Sequence, residues 1–141
     1  MVTVWSIGHS NHPIERFIAL LDGAGIEVVA DIRSTPWSHR FPWFSADALA
    51  GHLRDAGLHY AGFGATLGGR VDHDEARTSP AFHAGVVALL DLAAHQRVAM
   101  MCAEEDPASC HRHTLVTPAL TAAGATVLEL RGDGTTHSTL F

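Results

Sequence analysis

Both cysteines of the chain lie in one short polar segment, CAEEDPASCHR, at residues 102–112. The thiolate is the reactive form of cysteine, and its pKa falls near a helix N-terminus or beside a cation. Asp106 and Pro107 are residue types that begin helices, so the pattern places Cys110 near such an N-terminus. Arg112 follows two residues later and would supply the cation. Cys110 is therefore the candidate nucleophile.

A nucleophilic thiol needs a base, and three other side chains could supply acid or base chemistry. His111 adjoins Cys110 in sequence, but neighbours on a helix point about 100° apart, so it is not the obvious partner. His9, after the first predicted strand, is an equal candidate. Glu104 could act as general acid or base if its surroundings raise its pKa, or it could anchor Arg112. We predict His9, Glu104 and Cys110 as catalytic residues.

A metal or redox site is the alternative use of the two thiols. Zinc sites usually carry cysteines about two to four residues apart and about four ligands in all. Cys102 and Cys110 are eight positions apart and no second pair follows, so the spacing argues against zinc. Any metal would be held by Cys102, Cys110 and His111, or by the thiols with His9, and the sequence leaves the cofactor unknown. Cys102 ends an apolar run and is expected to be buried and unreactive.

The chain contains no lysine, and all nine of its fixed basic side chains are arginine. A guanidinium group is planar and binds carboxylate or phosphate through paired hydrogen bonds. Several arginines follow predicted strands. This pattern predicts a small phosphorylated or nucleotide-like anion as the ligand of an enzyme, either a hydrolase or a transferase. The predicted substrate-binding residues are Ser10, Asp31, Arg33, Arg40, Arg70, His111 and Arg112.

Structural explanations remain open for several of these residues. Asp31 and Arg33 could pair only with each other across the end of a strand. Arg70 follows two glycines and could simply be solvated. His9 could cap a helix or bond a carbonyl group instead of taking part in catalysis.

Apolar runs alternate with helical patterns along the chain. Continuously apolar or β-branched segments predict five strands, at residues 2–7, 26–34, 58–63, 97–103 and 125–130. Capping residues and helical spacing predict helices that start at Ser10 or Asn11, at Ser45, at about Pro80 and at about 107. Pro118 should either kink the last helix or begin a separate one. Residues 35–44 and 64–80 are predicted loops.

This alternation predicts a single α/β domain over residues 1–141, with three layers and a mainly parallel five-stranded sheet, Rossmann-like or flavodoxin-like. The polar tail, residues 131–141, is expected to be loose. Open parallel sheets bind ligands beyond the carboxyl ends of their strands. Because the candidate site residues follow strands, we expect them to meet at this edge.

The composition narrows the class of protein. The chain has 141 residues, 47% of them hydrophobic, and a net charge of −6 with neutral histidines. A core is therefore expected, and nonspecific coating of nucleic acid or anionic membrane is disfavoured. No apolar run could span a bilayer and the N-terminus lacks a signal-peptide pattern, so a cytoplasmic location is predicted. Two cysteines that do not form a disulfide framework fit that reducing compartment.

A nucleic-acid-binding module is the main alternative function. Arginines would contact phosphates while Trp37, Trp43 or Phe44 stack on bases, and binding would weaken steeply with salt. The aromatic segment could instead form its own small core or a homodimer contact.

Four sequence blocks, in this order, resemble those of the domain-of-unknown-function 488 family. The blocks are SIGHSNHPIERFIALL, VVADIRSTPWSHRFPWF, LGGR and MCAEEDPASCHR, and the resemblance covers roughly residues 4–130. It implies a small α/β protein with a parallel sheet, and a set of motif positions at Gly8, His9, Ser10, Asp31, Arg33, Arg40, Gly68, Gly69, Cys102, Glu104, Pro107, Cys110, His111 and Arg112. Pro118, the polar tail and the short segment after Arg70 depart from the family pattern. The family name states no reaction, so the resemblance implies a fold and a site map but no chemistry.

Overall fold

A computed structural model describes residues 2–106 and 110–138, apart from the side chain of His113. Within that part of the chain the sheet has six strands, β1 (Thr3–Gly8), β2 (Val28–Asp31), β3 (His59–Gly62), β4 (Val98–Cys102), β5 (Thr126–Leu130) and β6 (Thr136–Ser138). They lie in the order β3-β2-β4-β1-β5-β6. The first five are parallel, and β6 runs antiparallel to β5. The predicted mainly parallel sheet is confirmed, with a sixth strand beyond the five expected.

Helices cover both faces of the sheet. One face carries α1 (Ile14–Gly23) and α2 (Ala46–Asp55). The other carries α3 (Gly64–Leu67), α4 (His73–Thr78), α5 (Pro80–His95) and α6 (Thr117–Ala122). A 3₁₀ turn at Pro42–Phe44 precedes α2, and a π-helical turn at Arg112–Val116 leads into α6. None of the helices in the described residues is long and apolar enough to cross a membrane.

The strand residues explain why both faces are covered. All four residues of β2 and all five of β4 are buried. Along β2, Val28 and Ala30 join the core that contains α5, while Val29 joins the core that contains α1 and α2. Successive strand side chains point to opposite faces, so a continuously apolar strand needs a layer on each side. This accounts for the correct prediction of three layers.

The connections that follow the strands open a crevice at one edge of the sheet. β4 lies between β1 and β2. The chain leaves β1 and β2 toward α1 and α2 on one face, but leaves β4 toward α6 on the other. Connections that diverge in this way leave a gap at the carboxyl ends of neighbouring strands, where ligands of open α/β sheets bind. The order of the strands differs from the Rossmann and flavodoxin orders, but the same rule applies.

The tail, predicted to be loose, is partly paired. Thr136–Ser138 forms β6 alongside β5. The backbone N–H of Arg131 donates to the Thr135 carbonyl at 2.9 Å, and Gly134 has a φ of 87° between them. Glycine reaches this left-handed region without steric cost, and Asp-Gly is a common hairpin turn, so the sequence carried the signal. Residues 139–141 lie outside the described part of the chain.

The segment 64–80, predicted to be a loop, contains α3 and α4. Asp72 caps α4, because its carboxylate accepts hydrogen bonds from the backbone N–H groups of Asp74 at 2.9 Å and Glu75 at 3.1 Å. An acidic or hydroxyl residue followed three positions later by glutamate is a typical helix start. The glycines before α4 and Pro80 after it obscure this pattern in the sequence.

Two helix starts also differ from the predictions. α1 begins at Ile14, directly after Pro13, so Ser10 and Asn11 do not cap it. Pro118 is the second residue of α6. The π-helical turn at Arg112–Val116 runs into α6 without a break, since Val116 and Thr117 both have right-handed helical angles, so Pro118 does not begin a separate helix. The predicted helix start at Pro107 lies outside the described residues.

Candidate active site

The carboxyl ends of β1, β2 and β4 surround a cavity of about 740 Å³. Most of the predicted site residues line it: His9, Ser10, Arg33, Arg40, Arg70, Cys102, Glu104, Cys110 and His111. Asp31 and Arg112 do not line it, and both are buried. The cavity is the crevice between the diverging connections, so each strand end delivers the residues that follow it to one place.

The turns after β1 and β4 are tied together at the floor of the cavity. The backbone N–H groups of His9 and Ser10 donate to the carbonyls of Cys102 and Ala103, each at 2.9 Å. Ser10 has a φ of 48°, a left-handed conformation that is uncommon for serine. A Cβ on the preceding Gly8 would overlap the backbone of the opposite turn. Glycine is therefore required there for the two turns to approach.

Asp31, the last residue of β2, holds Arg33 in a fixed orientation. Its Oδ1 accepts from Nε of Arg33 at 2.8 Å, and its Oδ2 accepts from Nη2 at 2.7 Å. The backbone N–H of Arg33 and the hydroxyl of Tyr60 donate to the same carboxylate at 3.1 and 2.6 Å. Burial, with the hydrogen bond to Asp31, raises the pKa of Tyr60, so the phenol keeps its proton. Asp31 and Arg33 do pair, as one alternative predicted, but Arg33 also faces the cavity.

The pairing leaves part of the Arg33 guanidinium available. A guanidinium group has five N–H donors. Two are taken by Asp31, and Nη1 lies 3.3 Å from Nε2 of His9. The other two N–H groups have no partner among the described residues, so a bound anion could accept from them.

His9 is buried and both of its ring nitrogens are occupied. Its ring stacks on Phe44 with centroids 4.3 Å apart. Nδ1 lies 2.9 Å from the Ser10 carbonyl and so carries the proton, which leaves Nε2 to accept from Arg33. Burial lowers the pKa of His9 to about 4, and the imidazole is therefore neutral near pH 7. This geometry suits a support for Arg33 better than a base beside Cys110.

The two cysteines meet on the cavity wall, where the structure joins Cys102 and Cys110 in a disulfide. Neither thiol is free. Cys102 ends β4 and is buried, as expected, but its pairing with Cys110 was not expected from the sequence. Among residues 2–106 and 110–138, no three histidine, cysteine, aspartate or glutamate side chains are grouped as metal ligands.

His111 places a nitrogen base beside Cys110. Its Nε2 donates to the Ile32 carbonyl at 2.9 Å, which turns the lone pair of Nδ1 toward the sulfur at 3.6 Å. Burial lowers the pKa of His111, so it remains a proton acceptor at neutral pH. Gly69 packs on the ring so closely that a Cβ there would overlap it. Neighbouring side chains diverge at Cβ, but Nδ1 is bonded to the first ring carbon and still reaches the adjacent sulfur.

Arg112, predicted to bind the anion, is completely buried and supports the cavity wall. Its Nη1 donates to Ser6 of β1 at 3.0 Å and to Glu129 of β5 at 3.1 Å. Its Nη2 donates to the backbone carbonyl of Glu104 at 2.6 Å. The guanidinium therefore ties two strands to the turn after β4. A buried partner such as Glu129, on a distant strand, cannot be read from the spacing around Arg112.

A protein-family model, Domain of unknown function DUF488, matches residues 13–76 and 72–117. The chain belongs to the DUF488 family. The resemblance of the four sequence blocks is thereby confirmed, and the matched residues contain every predicted site residue except His9 and Ser10. Comparisons with curated proteins and with solved structures gave no match.

The rim of the cavity in this DUF488 protein carries exposed charged side chains. Arg40 lies over the ring of Phe41, with its Cζ 5.4 Å from the ring centroid. Arg70 donates its backbone N–H to Oγ of Ser34 at 3.0 Å, and its guanidinium forms no ion pair among the described residues. Glu104 is exposed beside them. Two guanidinium groups are thus accessible at the mouth of the cavity.

The lining of the DUF488 cavity also includes His73, which the sequence did not single out, and Trp37, which was a candidate only for stacking on bases. His73, the first residue of α4, lies 3.1 Å through Nε2 from the Gly69 carbonyl. Trp37 lines the cavity and is 58% exposed. His73 is placed by the start of α4, and the capping residue Asp72 was the sequence signal for that helix. Trp43 and Phe44 are not at this surface: Nε1 of Trp43 donates to a backbone carbonyl, and Phe44 is buried.

Proposed function

We propose that this protein is an enzyme that acts on a small phosphorylated or nucleotide-like anion, as a hydrolase or a transferase. The charge of the cavity carries the proposal. Among the described residues, its lining holds three arginines and a single carboxylate, Glu104. The chain as a whole has a net charge of −6, so the cavity lining is more basic than the rest of the protein. Guanidinium groups in a crevice suit the recognition of phosphate.

The three arginines would contribute in two ways. Arg33 supplies a rigid contact, because Asp31 fixes the plane of the guanidinium and leaves two N–H donors available. Arg40 and Arg70 are exposed at the rim and would close on the ligand from outside. A rigid donor fixes the orientation of the bound ligand, while the rim arginines attract the anion and increase its rate of association.

The reaction that the geometry supports uses the reduced form of Cys110. Nδ1 of His111 takes the thiol proton, and the sulfur bonds to the electrophilic centre of the substrate. The bond to the leaving-group oxygen then breaks, and that oxygen receives the proton from His111. Water, or an acceptor alcohol in a transferase, attacks the sulfur-linked intermediate and releases the thiolate. The backbone N–H of Arg112, 3.4 Å from the sulfur, stabilises that thiolate.

His9 and Glu104 have lesser parts in this proposal. His9 holds Arg33 in place from the side opposite Asp31. Glu104 remains a candidate acid or base for a group near the mouth of the cavity, since its side chain is exposed there.

Calorimetric titration with AMP and with inorganic phosphate tests the binding step. Arg40→Gln and Arg70→Gln should each weaken binding by about tenfold, because each removes a charge-assisted hydrogen bond. Arg54→Gln is the matched control: it removes the same charge from an exposed position on α2, outside the cavity. Equal weakening by the control, or no binding of either anion by the reduced wild type, would overturn the proposal.

Alkylation of the reduced protein by iodoacetamide tests the nucleophile. With Cys102→Ser, the single remaining thiol should react faster than free glutathione at neutral pH, because His111 and a backbone N–H favour the thiolate. His111→Asn should shift the pH midpoint of this reaction upward. If Cys110 alkylates no faster than glutathione and Cys110→Ala keeps any turnover found with the wild type, Cys110 is not the nucleophile.

A nucleic-acid-binding module is the second candidate, and the exposure of Trp37 favours it. The indole stands in the cavity lining together with Arg40, so a base could stack there while its phosphate meets the guanidinium. Gel shifts with a single-stranded oligonucleotide should then weaken steeply with salt, and Trp37→Ala should cost about 1–3 kcal/mol of binding. Absence of any shift at low salt would exclude this candidate.

A further inference from the structure

The disulfide of this protein is part of the cavity wall. Cys102 and Cys110 both line the cavity that holds the arginines, and their sulfurs are bonded to each other. A disulfide that only stabilised the fold would not need to lie beside a base and a set of anion-binding groups. We propose that the two cysteines are a redox centre that reacts with a small anionic disulfide, with Cys110 as the attacking thiol and Cys102 as the resolving thiol.

The surroundings of the two sulfurs differ, and the difference assigns the roles. The sulfur of Cys110 has Nδ1 of His111 at 3.6 Å and the backbone N–H of Arg112 at 3.4 Å. A base and an N–H donor both favour the thiolate. The sulfur of Cys102 instead lies 3.9 Å from the backbone carbonyl of Glu104, whose oxygen favours a protonated thiol. Cys110 is therefore the thiol that attacks first.

Access to the cavity supports the same order. Cys110 is 9% exposed and Cys102 is 2% exposed, so an incoming reagent reaches Cys110 more readily. Cys102 is already in place to attack a group attached to Cys110, because the two sulfurs are within bonding contact. A resolving thiol of this kind converts a mixed disulfide into an internal one without further movement of the reagent.

The charge and size of the cavity select the class of disulfide. Arg33, Arg40 and Arg70 line it, and carboxylates of the reagent would bind to them. Its volume of about 740 Å³ lies within the ordinary range for small-molecule sites, about 300–1,000 Å³. A small disulfide with several carboxylates fits both conditions, and oxidised glutathione is the available probe.

The reaction balances in two exchange steps. The Cys110 thiolate attacks one sulfur of the reagent, a bond forms between them, the reagent's own disulfide breaks, and one thiolate leaves. The Cys102 thiol then loses its proton to solvent, and the resulting thiolate attacks the sulfur of Cys110 while the second reagent thiolate leaves. The two protein thiols are oxidised by two electrons in all, and the reagent is reduced to two thiols. The internal disulfide removes the thiol that the proposed hydrolase or transferase reaction needs, so oxidation would switch that activity off.

Intact-mass spectrometry of the reduced protein mixed with oxidised glutathione tests the proposal. The wild type should lose the mass of two hydrogens and retain no glutathionyl group. Cys102→Ser should gain one glutathionyl group at Cys110, since nothing resolves the mixed disulfide. Cys110→Ser should be modified at least about tenfold more slowly than Cys102→Ser. The proposal would be overturned if the wild type ended as a stable mixed disulfide, or if the two variants were glutathionylated at equal rates. The wild-type measurement does not depend on the folding of any variant.

The class of reagent is tested with a neutral disulfide, bis(2-hydroxyethyl) disulfide. The wild type should react faster with oxidised glutathione than with the neutral reagent, after correction for their rates with a free thiol. Arg40→Gln and Arg70→Gln should reduce that preference, and Arg54→Gln should leave it unchanged. No preference in the wild type would refute the anionic class. These experiments contain no phosphorylated compound. A failure here would refute the redox proposal alone, whereas a failure of AMP and phosphate binding would refute the proposed enzymatic function.

Discussion

Protonation of His9 should destabilise the fold over a defined range of pH. Burial holds the pKa of His9 at about 4 in the folded protein, against 6.5 for an exposed imidazole. Arg33 and His12 also face it and lower its pKa, while Asp31 raises it, and Phe44 adds an uncharged surface. Between the two pKa values the unfolded chain binds a proton that the folded chain does not. Stability from this group is therefore complete above pH 6.5 and is lost as the pH falls toward 4.

The size of the loss follows from the difference in pKa. One pKa unit corresponds to about 1.4 kcal/mol. Relative to neutral pH, the His9 contribution should fall by about 2 kcal/mol at about pH 5 and by about 3 kcal/mol at about pH 4. His9→Gln removes the titration, and its amide can still donate to the Ser10 carbonyl and accept from Arg33.

Urea unfolding of both proteins at a series of pH values provides the assay. Other groups, such as Glu105 and His111, titrate in both proteins and cancel in the comparison. The free energy of unfolding of the wild type should therefore decline more steeply with acid than that of His9→Gln, by the amounts given above. Parallel curves for the two proteins would refute the conclusion that His9 is buried in its neutral form.

Three further substitutions test the buried polar contacts, each by urea unfolding at neutral pH. Asp31→Asn removes the charge opposite Arg33 and should lower the free energy of unfolding by about 3–5 kcal/mol; a loss below about 1 kcal/mol would contradict a buried ion pair. Tyr60→Phe removes one hydrogen bond to that carboxylate and should lower the free energy of unfolding by about 1.5–3 kcal/mol. An unchanged free energy would mean that the hydroxyl is hydrogen-bonded to water instead of to Asp31. Arg112→Met leaves the Glu129 carboxylate buried without its partner and should lower the free energy of unfolding by about 3–5 kcal/mol. The double variant Arg112→Met/Glu129→Leu removes that carboxylate and should lose much less, so equal losses would contradict this explanation.

The sheet was predictable because its signal is local. β2 and β4 are continuously apolar, and a strand of that kind needs a layer on each face, so the parallel three-layer arrangement follows from short segments alone. The helices of residues 64–80 were missed because α3 and α4 are four and six residues long, too short for a helical repeat to stand out. β6 was missed because three polar residues carry no apolar alternation, although the Asp133-Gly134 turn signalled a hairpin.

The sequence predicted which residues would lie near each other at the site, but not which of them would contact one another. Arg33 and Arg112 look equivalent in the sequence, since each follows a strand in a polar segment. The partner of Arg33 lies two residues away, whereas Glu129 is 17 residues from Arg112 on another strand. The carbonyl of Ile32 that orients His111 is 79 residues distant. Contacts at such separations depend on the order of the strands, which residue spacing does not encode.

The arginines of the cavity have a consequence for how ligand binding varies with pH. Guanidinium groups keep their proton far above physiological pH, His9 is already neutral, and the disulfide form has no thiol to ionise. A phosphate monoester such as AMP is fully ionised well above its second pKa of about 6. Affinity for such an anion should therefore be level from neutral pH into the alkaline range. A change in the turnover of the reduced enzyme across that range would report its thiol chemistry. The pH profile of binding by the disulfide form and that of turnover by the reduced form would therefore separate binding from catalysis.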